Sequence, residues 1–284
     1  MLTKLEVLGS QITLPELPFD VDGSAWNDQI HIRKIDGLGP VDATINTSDY
    51  GEIPGAFFTG SSIGFRNIVL TVGLNPDYAD DSSMEYLRSY LYAYFMPQKE
   101  VTLKFESTHL EDVQITGIVE SLTPNIFSKD PEVQVSIICP DPDFVAVDSV
   151  TVSGTVGTVL VPTLAQINYP GSVETGFVLT VSPTGAVPTY NSTVRLLAYY
   201  QGLRSLEIAA SINVSQYLQI DTQDKRRAVS SVTPTGTLIQ NKLGATIQTT
   251  LWPRLFPGLN EVGVVENVAG QKWDLTYTPR YGGL

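Results

Sequence analysis

Three short segments constrain most strongly what this chain folds into. Val101-Thr102-Leu103-Lys104-Phe105-Glu106, Val113-Gln114-Ile115-Thr116-Gly117-Ile118 and Val133-Gln134-Val135-Ser136-Ile137 alternate apolar and polar side chains. A strand turns successive side chains to opposite faces, so this period describes antiparallel strands with one dry and one wet face. Val41, Ala43 and Ile45 alternate with Asp42, Thr44 and Asn46 in the same way. Helical period is found at residues 82–96, where Met84, Leu87, Leu91, Tyr94 and Phe95 share one face and Arg88, Ser89 and Tyr92 point elsewhere. Ser82 and Glu85 have capping-box spacing, and Pro97 stops the helix. One helix closing one end of an antiparallel sheet predicts an N-terminal α+β sandwich.

Pro140 and Pro142 then interrupt the chain, and neither is tolerated in a central strand. They divide the 284 residues into a first domain at 1–142 and a second at 143–284. Residues 151–162 are rich in Thr, Val and Gly and read as an edge strand or a connector. Strand-like runs recur at 177–181, 193–199, 205–208, 217–220, 228–232, 245–250, 260–265 and 272–278, without a helical pattern between them. Short strands at this spacing predict a jelly-roll-like β-sandwich, so the chain is mainly β. Charged residues make up only 17%, below the usual quarter, which suits strands and turns.

Several function classes are excluded. A net charge of −13 argues against binding nucleic acid through phosphates. Asp224-Lys225-Arg226-Arg227 is the one dense basic patch and reads as a solvated turn. Cys139 stands alone, so no intrachain disulfide forms, which fits assembly in a reducing cytosol. Residues 1–20 carry Glu6, Glu16 and two prolines and do not read as a signal peptide. No run of 18 apolar residues predicts a membrane span. His31, His109 and Cys139 are too few for a zinc site, and no metal or cofactor is expected. Asp20, Asp22, Ser24 and Asp28 lack EF-hand spacing and read as an Asx-rich surface turn, while Asp141 and Asp143 flank Pro142 as turn residues. Asn191-Ser192-Thr193 has an acceptor pattern for glycosylation but no secretory context. Gly60-Ser61-Ser62-Ile63-Gly64 matches the nucleophile elbow, which needs a helix after the serine. A strand-like segment, 67–72, follows instead, and the chain is not read as an enzyme.

Two groups of residues remain as candidate contacts. Residues 47–65 form a long, Gly-rich, poorly periodic stretch, of the kind that is functional or lies against a partner. The preferred reading is an exposed hairpin carrying Ile53, Phe57 and Phe58 as an interface. In the second domain Trp252, Trp273 and Tyr217, together with Tyr199 and Tyr200, are candidates for stacking on sugars. Packing in the core and at interfaces is the preferred reading of these rings.

The order of motifs resembles the distal tail protein (Dit) family of long-tailed phages. In the first domain the resemblance rests on Ile35-Asp36-Gly37-Leu38-Gly39, on Gly64-Phe65-Arg66-Asn67-Ile68, on the single helix and on Cys139-Pro140-Asp141-Pro142-Asp143-Phe144. In the second it rests on Ile220-Asp221-Thr222, on Trp252-Pro253-Arg254-Leu255-Phe256-Pro257-Gly258-Leu259-Asn260 and on Tyr277-Thr278-Pro279-Arg280-Tyr281. Residues 1–28 carry no motif of the family. The resemblance implies a hexameric ring built by the first domain and a galectin-like sandwich for the second. It also implies a virion protein of the tail tip, assembled in the host cytoplasm, whose partners are its own copies, the tail tube protein, a tail-associated hub protein and receptor-binding proteins. It brings no catalytic residues. A carbohydrate-binding module that attaches to host polysaccharide is the alternative function. For a ring that passes DNA, the charge of −13 predicts a neutral to acidic lumen, with Lys225, Arg226 and Arg227 outside it.

Overall fold

The computed structural model describes residues 2–9, 17–20, 30–51, 53–76, 83–108, 111–125, 131–158, 160–182, 189–200, 202–213, 216–249, 252–266 and 271–284. The chain forms two compact units, Met1–Val147 with Tyr281–Leu284, and Asp148–Arg280.

The first unit contains β1 (Leu2–Gly9), β2 (Leu17–Asp20), β3 (Ile30–Asp36), β4 (Ala43–Asp49), β5 (Ala56–Ile63), β6 (Arg66–Leu74), α1 (Met84–Phe95), β7 (Glu100–Ser107), β8 (Val113–Asn125), β9 (Glu132–Cys139) and β10 (Phe144–Ala146). Its main sheet has the order β2-β1-β7-β8-β9-β6-β3, with β10 against β8. The end strands β2 and β3 come back beside each other, so this one sheet curls around its own core. The alternation seen in the sequence supplies that core: Val101, Leu103 and Phe105 from β7, Val113 and Ile115 from β8, Val133, Val135 and Ile137 from β9. Leu87, Leu91, Tyr94 and Phe95 of α1 join the same cluster. The helix cap is Ser83, whose Oγ accepts the Tyr86 N–H at 3.3 Å; Ser82, the cap expected from spacing, lies outside the described residues.

The first unit extends past the prolines at which the sequence divides the domains. Phe144 is buried in the first core, edge-on to Phe105 at 5.7 Å, and β10 pairs with β8. The chain therefore leaves this unit after Val147, and its last residues, Tyr281–Leu284, belong to it again. Burial of one aromatic ring, worth about 2–3 kcal/mol, outweighs the punctuation by Pro140 and Pro142.

The second unit contains β11 (Val150–Thr155), β12 (Gly157–Thr158), β13 (Leu164–Tyr169), β14 (Phe177–Ser182), β15 (Thr189–Tyr199), β16 (Leu203–Asn213), β17 (Tyr217–Asp221), β18 (Ala228–Val232), β19 (Leu238–Asn241), β20 (Thr246–Thr249), β21 (Gly258–Glu266) and β22 (Lys272–Tyr277). One sheet runs β11-β22-β14-β17-β18-β19 and the other β12-β21-β15-β16-β20, with β13 also on β21. Both sheets contribute to a single cluster that includes Leu179, Ile220 and Leu275 from the first and Leu196, Ile208 and Val264 from the second. This is a β-sandwich. Residues 151–162 resolve mainly into the edge strand β11, which lies so close to the core that a Cβ on Gly154 would meet the Trp273 ring at 2.3 Å.

Candidate functional site

Residues 43–63 form a two-stranded sheet of their own, β4 against β5, paired with no other strand among the described residues. Nearly every residue of the hairpin is exposed, including Ile53 at 69% and Phe58 at 64%. The sequence reading of an exposed hairpin carrying Ile53, Phe57 and Phe58 describes this element. The structure adds Ile45, Tyr50, Ile63 and Phe65, all large, apolar and exposed.

Strand register sorts these side chains by face. Ala43 pairs with Ile63 and Ile45 with Ser61; a bulge then intervenes, and Thr47 pairs with Phe58 and Ser48 with Phe57. The extra residue is Thr59, whose hydroxyl donates to the Asn46 carbonyl at 2.9 Å. Ile45, Phe58 and Ile63 therefore share one face, with Ala43, Thr47 and Ser61 between them. Phe57 stands on the opposite face, where its ring meets Tyr50 at a centroid distance of 5.5 Å. Among the described residues each strand keeps one unpaired edge.

The other candidates are not brought together. Trp273 is 1% exposed and sits in the row Leu218–Val181–Trp273 that faces the second core, with its indole N–H on the Thr155 carbonyl at 3.2 Å. Tyr217 precedes Leu218 and so points to the other face of the same sheet. Trp252 is half-buried beside the second core. No shared ring platform is formed, and Trp273 has no face free for a sugar. Tyr200 instead stacks on Phe256 at 4.7 Å, and the Arg204 guanidinium covers Phe256 at 4.6 Å.

Ser62 lies on β5 opposite Thr44, and the strand β6 follows it, so the elbow-like motif has no helix after its serine. His31 Nε2 accepts from Arg33 Nε at 3.5 Å, and His109 lies outside the described residues. Of the Asx-rich turn, only Asp20 falls within them. Burial pushes the Cys139 thiol up to about 11, against the pull of Arg66, which leaves it a buried apolar side chain. Asp224 pairs with Arg227 at 3.1 Å and with Arg254, within the turn that carries Lys225 and Arg226.

The second-domain motif residues act as braces. The Thr222 hydroxyl accepts the Phe177 N–H at 2.9 Å and donates to the Phe177 carbonyl at 3.1 Å. Asn260 accepts the Phe256 N–H at 2.9 Å and donates to the carbonyls of Phe256 and Gly258 at 2.7 and 2.9 Å. Arg254 pairs with Glu174.

Residues 27–156 match the family model of the phage tail protein RIFT-related domain. No curated protein matches the sequence. The crystal structure of the Dit protein of phage SPP1, described as a paradigm of the hub adsorption apparatus in phages infecting Gram-positive hosts, is similar over 97% of this chain and 98% of that one. Its TM-score is 0.66 and its identity 16%. The baseplate of phage P2 in its activated, calcium-bound conformation matches over 97% and 98%, with TM-score 0.43 and 13% identity. Residues 27–156, most of which lie in the first unit, thus carry a domain similar to the RIFT-related domain of phage tail proteins. Over 97% of its length the fold is similar to that of the SPP1 Dit protein.

Proposed function

We propose that the chain is the structural adaptor at the tip of a long-tailed phage. Six copies form a ring that joins the tail tube to the tail-tip hub and the host-recognition apparatus, and DNA passes through the lumen. The single observation that supports this reading most is the β4–β5 hairpin, an apolar and unpaired element on a phage tail domain. In an isolated chain such a hairpin is an aggregation liability; between copies it is an interface. A hairpin that meets a different surface on the next copy makes a head-to-tail contact, and head-to-tail contacts that close give rings. Ile53, Phe57 and Phe58, with Ile45 and Ile63, supply the apolar area. The net charge of −13 supports a neutral to acidic lumen, along which a duplex slides without being held. The protein assembles in the host cytoplasm and resides in the virion tail tip.

Particle mass of the purified protein across concentration, followed by electron microscopy, tests this reading. A closed six-fold ring is expected. A strict monomer, even when tube and hub proteins are supplied, overturns it.

A further inference from the structure

Three sequence segments of the distal tail resemblance, at 35–39, 64–68 and 139–144, are far apart in the chain, yet they meet at one side chain, and Gly282, the residue after the C-terminal segment, joins them. Arg66 is 2% exposed and is the one buried arginine or lysine among the described residues. Its Nε donates to the Pro142 carbonyl at 2.6 Å. Its Nη1 donates to the carbonyls of Gly37 at 2.6 Å and Gly39 at 2.5 Å, and its Nη2 to that of Gly282 at 2.6 Å. The guanidinium lies 4.5 Å from the centroid of the Phe144 ring. A buried cation is tolerated only when its donors are satisfied, and here main-chain carbonyls and a π face do most of that work. Gly37 can offer its carbonyl because it has no Cβ: its φ is +89°, and a Cβ would lie 2.1 Å from the Asn67 oxygen.

The location of these groups gives the cluster its meaning. Gly37 and Gly39 come just before β4, and Arg66 comes just after β5, so both roots of the hairpin end in the same junction. The returning C-terminal residues lie over it: the Leu284 N–H donates to the Leu38 carbonyl at 2.9 Å, and the Tyr281 hydroxyl to Glu111 at 3.1 Å. A guanidinium is a rigid planar fork, so four acceptors around it are fixed in direction as well as in distance.

We propose that Arg66 is a positioning residue, which locks both roots of the β4–β5 hairpin and the returning Tyr281–Leu284 segment into one junction and so sets the direction in which the hairpin leaves the domain. Its consequence for assembly rests on the reading of the hairpin as the contact between copies; the anchoring itself does not. The segments at 35–39 and 139–144, widely separated in the chain, thus form the shell of one side chain.

Spin labels at Asp49→Cys, by the hairpin turn, and Glu100→Cys, on β7, measure the hairpin's direction by pulsed electron resonance; Cys139 is buried and stays unlabelled. A narrow distance distribution is expected for the parent chain. Arg66→Met and Arg66→Lys should each broaden it about twofold or more, while hydrogen exchange in β7, β8 and β9 stays at the parent level, the signature of local rather than global loosening. A lysine has the charge without the fork, so its failure to restore the narrow distribution separates geometry from charge. Narrow distributions in both variants overturn the proposal, as does loss of protection spread evenly through β7–β9. If Arg66→Met does not fold, Arg66→Lys and a chain ending at Arg280 decide, with broadening expected in both. Phe58→Ser keeps a narrow distribution but loses assembly if hairpin and anchor are both as described. If Phe58→Ser assembles normally while Arg66→Lys broadens, the interface reading falls and the anchor stands.

Discussion

Phe57 and Phe58 are neighbours in the chain but stand on opposite faces of the hairpin, Phe57 across from Ser48 beside Tyr50 and Phe58 across from Thr47 on the face of Ile45 and Ile63. The two rings therefore do different work. Replacing Ile45 and Phe58 together with Ser should weaken assembly at least about tenfold, which corresponds to about 1.4 kcal/mol. Phe57→Ser should weaken it less. Both proteins should melt as the parent does when dilute, because the lost groups are exposed. Sedimentation over a concentration series measures this, and the opposite ranking would place the contact on the Phe57 face.

The helix should tolerate no charge on its inner side. Leu91 is fully buried among the strands of the first core. Leu91→Asp or Leu87→Asp places an unpaired carboxylate there at a cost of several kcal/mol, comparable with the whole stability of a domain. Arg88 donates to the Met84 carbonyl at 3.3 Å and pairs with Glu85 at 4.0 Å, so Arg88→Ala should cost about 0.5–1 kcal/mol. Thermal melts separate these outcomes; a Leu91→Asp protein as stable as the parent would refute the packing.

Acid should destabilise the first unit through Glu6. Burial raises its carboxyl, but hydrogen bonds from Lys4 and Lys104 outweigh that, and the group titrates below its ordinary 4.5. A carboxyl held low in the fold contributes stability above its unfolded value, and the contribution is lost as pH falls through the folded one. The melting temperature should therefore drop as pH is lowered from that ordinary value of 4.5. Glu6→Gln should be less stable at neutral pH and show a flatter acid limb; parallel pH profiles would show that Glu6 is not the titrating group.

Asn260 should matter more than an amide at a strand start ordinarily does. Asn260→Ala leaves a part-buried N–H and two carbonyls of the Phe256–Gly258 turn without their partner. The expected loss is about 1–3 kcal/mol. Denaturant melts of the second unit check it, and a change below about 0.5 kcal/mol would mean that solvent replaces the amide.

Strand period made most of this fold legible. The alternations at β7, β8 and β9 and the helical face of Leu87 and Leu91 can be read directly because burial on one side dictates them. The face assignment of Phe58 could not be read, since it depends on the bulge at Thr59, and a bulge follows from how two strands pair. Trp273 and Tyr217 looked alike as aromatic residues in strands; their opposite orientation appears only once Val181 aligns Trp273 with Leu218. β13 was missed because Pro162 and Pro170 flank it and hide the alternation of Ile167 and Tyr169. Arg66 stands in one of the segments of the distal tail resemblance, but its anchoring role could not be read there, as its Gly282 partner lies 216 residues away.

A hairpin whose strands pair only with each other can change length without disturbing the sheet that bears it. Each residue added to both strands lengthens it by about 3.4 Å and exchanges the two faces. Insertions of two residues per strand would extend it by about 7 Å and return Phe58 to its own side. The reach of the hairpin thus changes in even steps, with an unchanged root.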